Sequence, residues 1–522
     1  MKRLSRPLLA LGLSTLALAT SVGAQLARSG DGPADQGPRL PQRMGSAATG
    51  RDVFRNETFG NEGFWTDAVR LPAGIMAARV TPMQALELGL QVDVDAVDAQ
   101  TKTRLAAELA ADPTGRSSAI LNDPAMTGKL IMANAVMGMT PKAGKVGATC
   151  ALCHSMSDGS IFTSPAGGSI GHRVDGLANH SLHLGEIFAT AANTRALYTV
   201  AQLQLTANHG KTLGRAAHGL DENSTEDEVD AYFRDHRNYP VGMFDDSFDG
   251  NGNPMHNTPL FRQDLAVPYG SEGTFTRLED FSNLVYTTLF DQTALTTPGG
   301  RQFIHMLAGA AGDEMIDDYV KVLRDTGVTG YPYVRARGGG RPGALATPIG
   351  LRVNDARLLA MNAYLSRLQA PAGQVGDPQA VARGRAVFAT SGCTTCHNAD
   401  QRRAVPTTIH PMAQIFPGDR PVTLALRMPP LNPVLDTPSS FFDDKMAVVN
   451  ASLRGEKRGI AMPLLLDLAR KPTFLHDDSV RSFADLFDAR RGGGAPHPFF
   501  VGDSRQRADL IAFLKASDTR AH

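Results

Sequence analysis

Two short stretches carry the residues best able to do chemistry, GATCALCHSM at 148–157 and SGCTTCHNAD at 391–400. In each, two cysteines stand two residues apart and a histidine follows the second: Cys150, Cys153 and His154, then Cys393, Cys396 and His397. No other cysteine exists in the chain. Two thiols on one helical turn suit thioether bonds to the vinyl carbons of a haem, and the adjoining histidine swings under the ring to ligate iron through Nε2. Three other chemistries compete. A Cys₄ zinc site would use both pairs but leave His154 and His397 without a task. A redox dithiol belongs beside a βαβ pattern, which the sequence lacks. Disulfides suit an exported protein, yet two-residue loops make poor staples. The duplicated C-x-x-C-H therefore predicts two covalently bound c-type haems, with His154 and His397 as proximal iron ligands.

The sixth iron positions then decide the chemistry. Two protein ligands make an electron carrier, whereas an open or displaceable position admits peroxide or dioxygen. Twelve histidines remain for such roles, and most histidines serve as ordinary core or surface residues.

The elements that must position these motifs read as mainly α. STEDEVDAYF (224–233) offers a Thr225/Glu228 capping box before Val229, Tyr232 and Phe233 at helical spacing. GDPQAVARGRAVFATSG (376–392) has Asp377 as N-cap, Pro378 at the first helical position and Gly392 as a stop, just ahead of the second motif. SRQRADLIAFLKASD (504–518) places Leu510, Ile511 and Leu514 on one stripe. Breaks at RARGGGRPG (335–343) and APAGQVGDP (370–378) put the main boundary near residue 370. The expected division is an extension of unknown role over 25–140, a first haem-bearing domain with insertions over 141–370 and a second over 371–522. A loose internal repeat supports two related halves: NTPLFRQDLAVPYGSEGTFTRLEDF (257–281) parallels AMPLLLDLARKPTFLHDDSVRSFADLF (461–487).

The first residues bear on location. Lys2, Arg3 and Arg6, the apolar run from Leu8 to Thr20 and Val22-Gly23-Ala24 read as an export signal over 1–24, leaving Gln25 as the first mature residue. No later stretch is long and apolar enough for a membrane helix, so an exported periplasmic protein is expected. The 52 basic and 52 acidic side chains cancel, and no basic field exists to hold nucleic acid or an anionic membrane.

At this point the sequence resembles the bacterial dihaem cytochrome c peroxidase superfamily, which includes MauG and the dihaem rubber oxygenases. The resemblance lies in ARGRAVFATSGCTTCH (382–397), MPLLLDLARKPTFLHDDSVRSFADLF (462–487) and QRADLIAFLKASD (506–518), with a more diverged copy in CALCH and NTPLFRQDLAVPYGSEGTFTRLED. Residues 45–140, including NETFGNEGFWTDAVRLPAGI, match no motif of the family. The resemblance implies two cytochrome c-like domains with haems facing each other across an interface. The haem on His154 would meet the oxidant, hydrogen peroxide or dioxygen. The haem on His397 would relay electrons from a small periplasmic donor, a cytochrome c or a cupredoxin, and a homodimer is compatible with the family. A pure electron carrier with both irons six-coordinate is the reading from a different class.

Departures from the family pattern bear on the ligands. The 243 residues between His154 and His397 exceed the spacing in the compact peroxidases and approach the oxygenase arrangement. The helix after the HDDS loop (479–490) holds neither the methionine of the peroxidases nor the tyrosine of MauG. His476 and Met462 are the candidates for the sixth position at the second haem. On the distal side of the first haem, Glu279 and Glu186 are the candidate proton-transfer carboxylates, although a solvated helix face is their commoner role. His172, His180 and His183 could supply a displaceable ligand or base, and an apolar pocket with no base would favour dioxygen. FDDSFDGNGNP (244–254) suggests calcium, but Pro254 and Leu260 stand where an EF-hand needs glycine and glutamate. Trp65, the only tryptophan, reads as a packing residue that could also relay charge.

Overall fold

A computed structural model describes residues 39–200, 220–236, 239–244, 255–270, 273–308, 310–411, 459–475, 480–495 and 497–520. The expected export signal over 1–24, the calcium-like loop after Phe244 and His476 lie outside these residues. Within them the chain is mainly helical, and its strands, two to four residues long, form sheets of two or three strands.

Among the described residues two larger hydrophobic cores organise the structure. The larger runs from Val53 to Leu365 and the smaller from Phe388 to Leu514. A small cluster of Leu177, Phe261, Ala370 and Leu466 joins them near the expected boundary at 370. The boundary expected at 140 marks no separate core. Strand Gln91–Asp93 pairs in parallel with Ser169–Gly171, and Asn61 exchanges hydrogen bonds with the backbone of Ala148, so the stretch before the first motif is built into the unit that carries it.

Each core is closed by a crossing of two helices made possible by one glycine. In the first, Ser46 caps helix Ala47–Asn56 by accepting from the Thr49 amide, and Val53 and Phe54 turn inward against helix Asp355–Leu365. A Cβ on Gly50 would lie 1.9 Å from the Ala360 carbonyl oxygen. In the second, Asp377 caps helix Pro378–Thr390, with Pro378 in the first turn as expected, and this helix crosses Ser504–Ala516. There a Cβ on Gly384 would lie 1.9 Å from the Asp509 carbonyl oxygen. The aromatic pairs beside the crossings also match. Phe54 and Tyr364 have ring centroids 5.8 Å apart at 52°, and Phe388 and Phe513 are 5.3 Å apart at 57°. GRDVF at 50–54 is thus the first-half counterpart of GRAVF at 384–388.

The repeat noted in the sequence has a backbone basis too. Tyr269 and Phe275 exchange backbone hydrogen bonds, and Phe474 and Val480 do the same at equal sequence separation. Upstream, Arg262 and Asp467 both adopt left-handed backbone, with φ of 45° and 59°. Short helices Leu278–Leu284 and Phe483–Leu486 follow the two bonded pairs.

Candidate functional site

The first motif is delivered by a hairpin. Strands Met139–Lys142 and Lys145–Ala148 are joined by Ala143 and Gly144, both at positive φ as the tightest hairpin turn requires. The chain then enters one helical turn, Ala151–His154, with the His154 amide bonded to the Cys150 carbonyl at 3.1 Å. Two further bonds fix the turn, from the amides of Gly176 to His154 O (2.8 Å) and of Asn179 to Cys153 O (2.9 Å).

The His154 ring is oriented from behind. Its Nδ1 lies 2.8 Å from the carbonyl oxygen of Thr258. A carbonyl only accepts, so Nδ1 carries the proton and the Nε2 lone pair is left for a metal. Burial pushes the His154 pKa down to about 4, which keeps the ring neutral at ordinary pH. Cys150 Sγ stands 3.3 Å from the Tyr286 hydroxyl, and burial pushes Cys153 up to about 12.

The second motif follows helix Pro378–Thr390 through Gly392, at φ 80°, into the turn Cys393–Thr395. The His397 amide bonds to Cys393 O at 2.9 Å, repeating the closure of the first motif. Burial pushes Cys393 up to about 11. At Cys396, hydrogen bonding to His410 and Thr395 outweighs the upward push of burial and lowers the thiol. Burial holds His397 down to about 3, with His497 and His410 nearby adding to the effect. The carboxamide of Gln401 accepts from the Leu465 amide at 2.7 Å, tying the loop after the motif to the opposite wall.

Both motifs open into one cavity of about 670 Å³, which all four cysteines, His154 and His397 line. Its walls are apolar, with Trp65, Phe188, Tyr286 and Phe290 from the first half and Phe474 and Phe487 from the second. Two π-helical turns, Phe64–Ala68 and Val285–Leu289, present Trp65 and Tyr286 to it. Such turns are rare and often mark functional sites. All four thiols are free, and no group of three or more His, Cys, Asp or Glu side chains converges among the described residues. The two pairs therefore do not meet as a Cys₄ site. Paired thiols, neutral imidazoles and an apolar continuous cavity fit covalently attached haem.

The proposed proton-transfer carboxylates are elsewhere. Glu279 is fully buried, but its helix turns Leu278, Phe281 and Ser282 to the cavity and Glu279 away from it. It accepts from Asn362 Nδ2 at 2.7 Å and faces Arg43 and Arg277 at 3.6 and 3.9 Å. Glu186 likewise points outward between Leu184 and Phe188, 3.9 Å from both Arg234 and His236. Among the described residues no Asp or Glu lines the cavity. His172 is exposed beside Asp95, 3.0 Å away, and His183 packs on His236 with ring centroids 5.4 Å apart. His180 and His183 do not share a helix face, because residues 180–183 are not helical and the helix there begins at Leu184.

Met462 lines the cavity near the second motif. Two histidines not singled out from the sequence line it as well, His256 and His497. His497 sits in APHPFF, whose Pro-flanked pattern signals a turn, not a ligand.

No protein-family model and no curated protein matches the chain. Among solved structures, hydrazine synthase of Kuenenia stuttgartiensis, studied under 20 bar of xenon, aligns over 53% of this chain and 76% of its own. The identity is 16% and the TM-score 0.26, a likeness too weak to carry an argument about fold or function.

Proposed function

We propose that this chain is a periplasmic dihaem c-type oxidoreductase, a peroxidase-like enzyme that reduces hydrogen peroxide at the haem held by Cys150, Cys153 and His154. Electrons from a small donor protein would enter through the haem held by Cys393, Cys396 and His397. The observation that carries this reading is the shared cavity: both C-x-x-C-H motifs open into one apolar space, with His154 turned into it by the Thr258 carbonyl. Bound haem supplies the electron transfer and the cleavage of the oxidant, which a polypeptide alone does not.

The side chains have definable tasks in this reading. Burial keeps His154 and His397 neutral and so able to donate a lone pair. The carbonyl of Thr258 fixes the tautomer and the plane of His154. Apolar walls from Trp65, Phe188 and Phe290 exclude bulk water and leave the two motifs in one low-dielectric space. Two electrons and two protons turn one peroxide into two waters, and among the described residues the lining offers histidine and tyrosine, not carboxylate, to move those protons.

That last observation favours a second reading, dioxygen as the oxidant, because binding dioxygen needs no carboxylate beside the iron. A carbon monoxide titration of the fully reduced protein, followed in the Soret band, tests the common ground. Uptake of one equivalent per chain supports one reactive and one relay haem, and product assays with peroxide and with dioxygen then separate the two oxidants. No uptake would overturn both enzyme readings in favour of an electron carrier.

A further inference from the structure

We propose that His497 is the second axial ligand of the iron held by His397. The inference deepens the dihaem reading and rests on it. His397 and His497 face the same cavity, their ring centroids 6.4 Å apart and their planes inclined at 46°. That separation is informative. Two imidazoles joined by a hydrogen bond have nitrogens about 3 Å apart, which sets their centroids at about 5 Å. Two imidazoles on opposite sides of one metal, each nitrogen about 2 Å from it, have centroids at about 6 Å. The observed distance exceeds the first and matches the second.

Three further observations point the same way. The Nδ1 atoms of both rings are buried and make no hydrogen bond. His497 holds a left-handed backbone, φ 51°, immediately before Pro498, a conformation that L residues adopt at a cost and that recurs at ligand clamps. Internal symmetry also counts against Met462. Thr258-Pro259-Leu260 corresponds to Met462-Pro463-Leu464, and the Thr258 carbonyl lies behind the proximal His154. By this sequence correspondence Met462 is assigned to the side behind His397, although no bond at His397 Nδ1 repeats that of His154.

Separation alone would not suffice, since His180 and His256 have centroids 6.2 Å apart. That pair has no cysteines beside it, and only His256 lines the cavity. At His397 the separation coincides with two anchoring thiols and a cavity shared by both rings.

The test compares the wild-type holoprotein with H497A, H497M and H476A by pyridine haemochrome, low-temperature electron paramagnetic resonance and carbon monoxide uptake. Two covalent haems are expected in every form. Wild type should contain a low-spin bis-imidazole haem, and H497A should convert one equivalent to high spin and raise carbon monoxide uptake from one equivalent per chain to two. Added imidazole should restore the low-spin signal, which separates a lost ligand from a lost fold. H497M should keep one low-spin haem at a higher midpoint potential, as Met/His ligation does. Two bound haems with the low-spin signal intact in H497A, or lost in H476A in its place, overturns the assignment of His497. Absence of covalent haem from wild type overturns the dihaem reading itself, and the proposal with it.

Discussion

Gly384 lies so close to Asp509 that an added Cβ would sit 1.9 Å from the Asp509 carbonyl oxygen, and Gly50 stands in the same relation to Ala360. Each half of the molecule thus brings the helix at its start against the helix at its end, backbone to backbone. The second crossing is reinforced by Arg383, whose Nε and Nη2 donate to the two carboxylate oxygens of Asp509 at 2.8 Å each. Cavity walls hang from these crossings, for Phe388 and Leu514 line the space near the second motif and Met361 and Leu365 the space near the first.

Alanine at Gly50 or Gly384 should therefore push a pair of helices apart. Overpacking of this kind costs about 1–3 kcal/mol. Urea unfolding of G50A and G384A should show a lowered midpoint, whereas G376A, where an added Cβ meets nothing within 4 Å, should stay within about 0.5 kcal/mol of wild type. Equal stability of all three would mean that the crossings relax freely.

Much of this architecture was legible in advance, for local reasons. The cap at Asp377, the Thr225/Glu228 capping box and both C-x-x-C-H turns depend on neighbours within a few residues, and they form as the spacing predicts. The loop repeat was visible because its aromatic and proline positions recur. The equivalence of GRDVF at 50–54 with GRAVF at 384–388 was missed, because a long insertion separates the first copy from its motif. The surroundings of the two candidate carboxylates were not legible for a different reason. Helical periodicity marks a polar face but not whether that face meets a cavity or a basic cluster, and Glu279 meets Arg43 and Arg277 from distant segments. His497 escaped notice because its relation to His397 spans 100 residues and no local pattern encodes it.

Glu279 can be tested as a structural residue. E279Q keeps the shape and the bond from Asn362 while removing the charge that faces Arg43 and Arg277. If the chain turns over peroxide as proposed, E279Q should do so within about twofold of wild type, with a lowered melting temperature, since breaking a buried ionic network destabilises the fold. E186Q, at a half-exposed pair, should change neither by much. A fall in kcat of about 100-fold or more in E279Q, at the scale of lost acid–base catalysis, would restore it as a proton carrier.

Met462 should prove a wall residue. M462L conserves volume in a buried position and should cost less than about 1.5 kcal/mol. With haem bound as proposed, its oxidised and reduced Soret and α bands should coincide with those of wild type. A shift of the second haem to high spin in M462L would show that the internal symmetry fails at this position and that the thioether reaches the iron.

The wall beyond Phe188 offers a pH-dependent test. The Tyr198 hydroxyl donates to Asp318 Oδ2 at 2.9 Å, and Tyr239, which lines the cavity, donates to the Val200 carbonyl two residues further on. Burial raises Asp318 to about 6, with Glu222, Glu314 and Asp221 adding like charge and the Tyr198 bond opposing. An unfolded aspartate titrates near 3.9. Between about pH 4 and 6 the folded chain thus binds a proton that the unfolded chain does not, so this group's contribution to stability rises as pH falls through 6 and levels off below 4. D318N removes the titration. The melting temperature of wild type relative to D318N should therefore increase from pH 7 to pH 5, and a difference that stays constant would place the Asp318 carboxyl in an ordinary solvated setting.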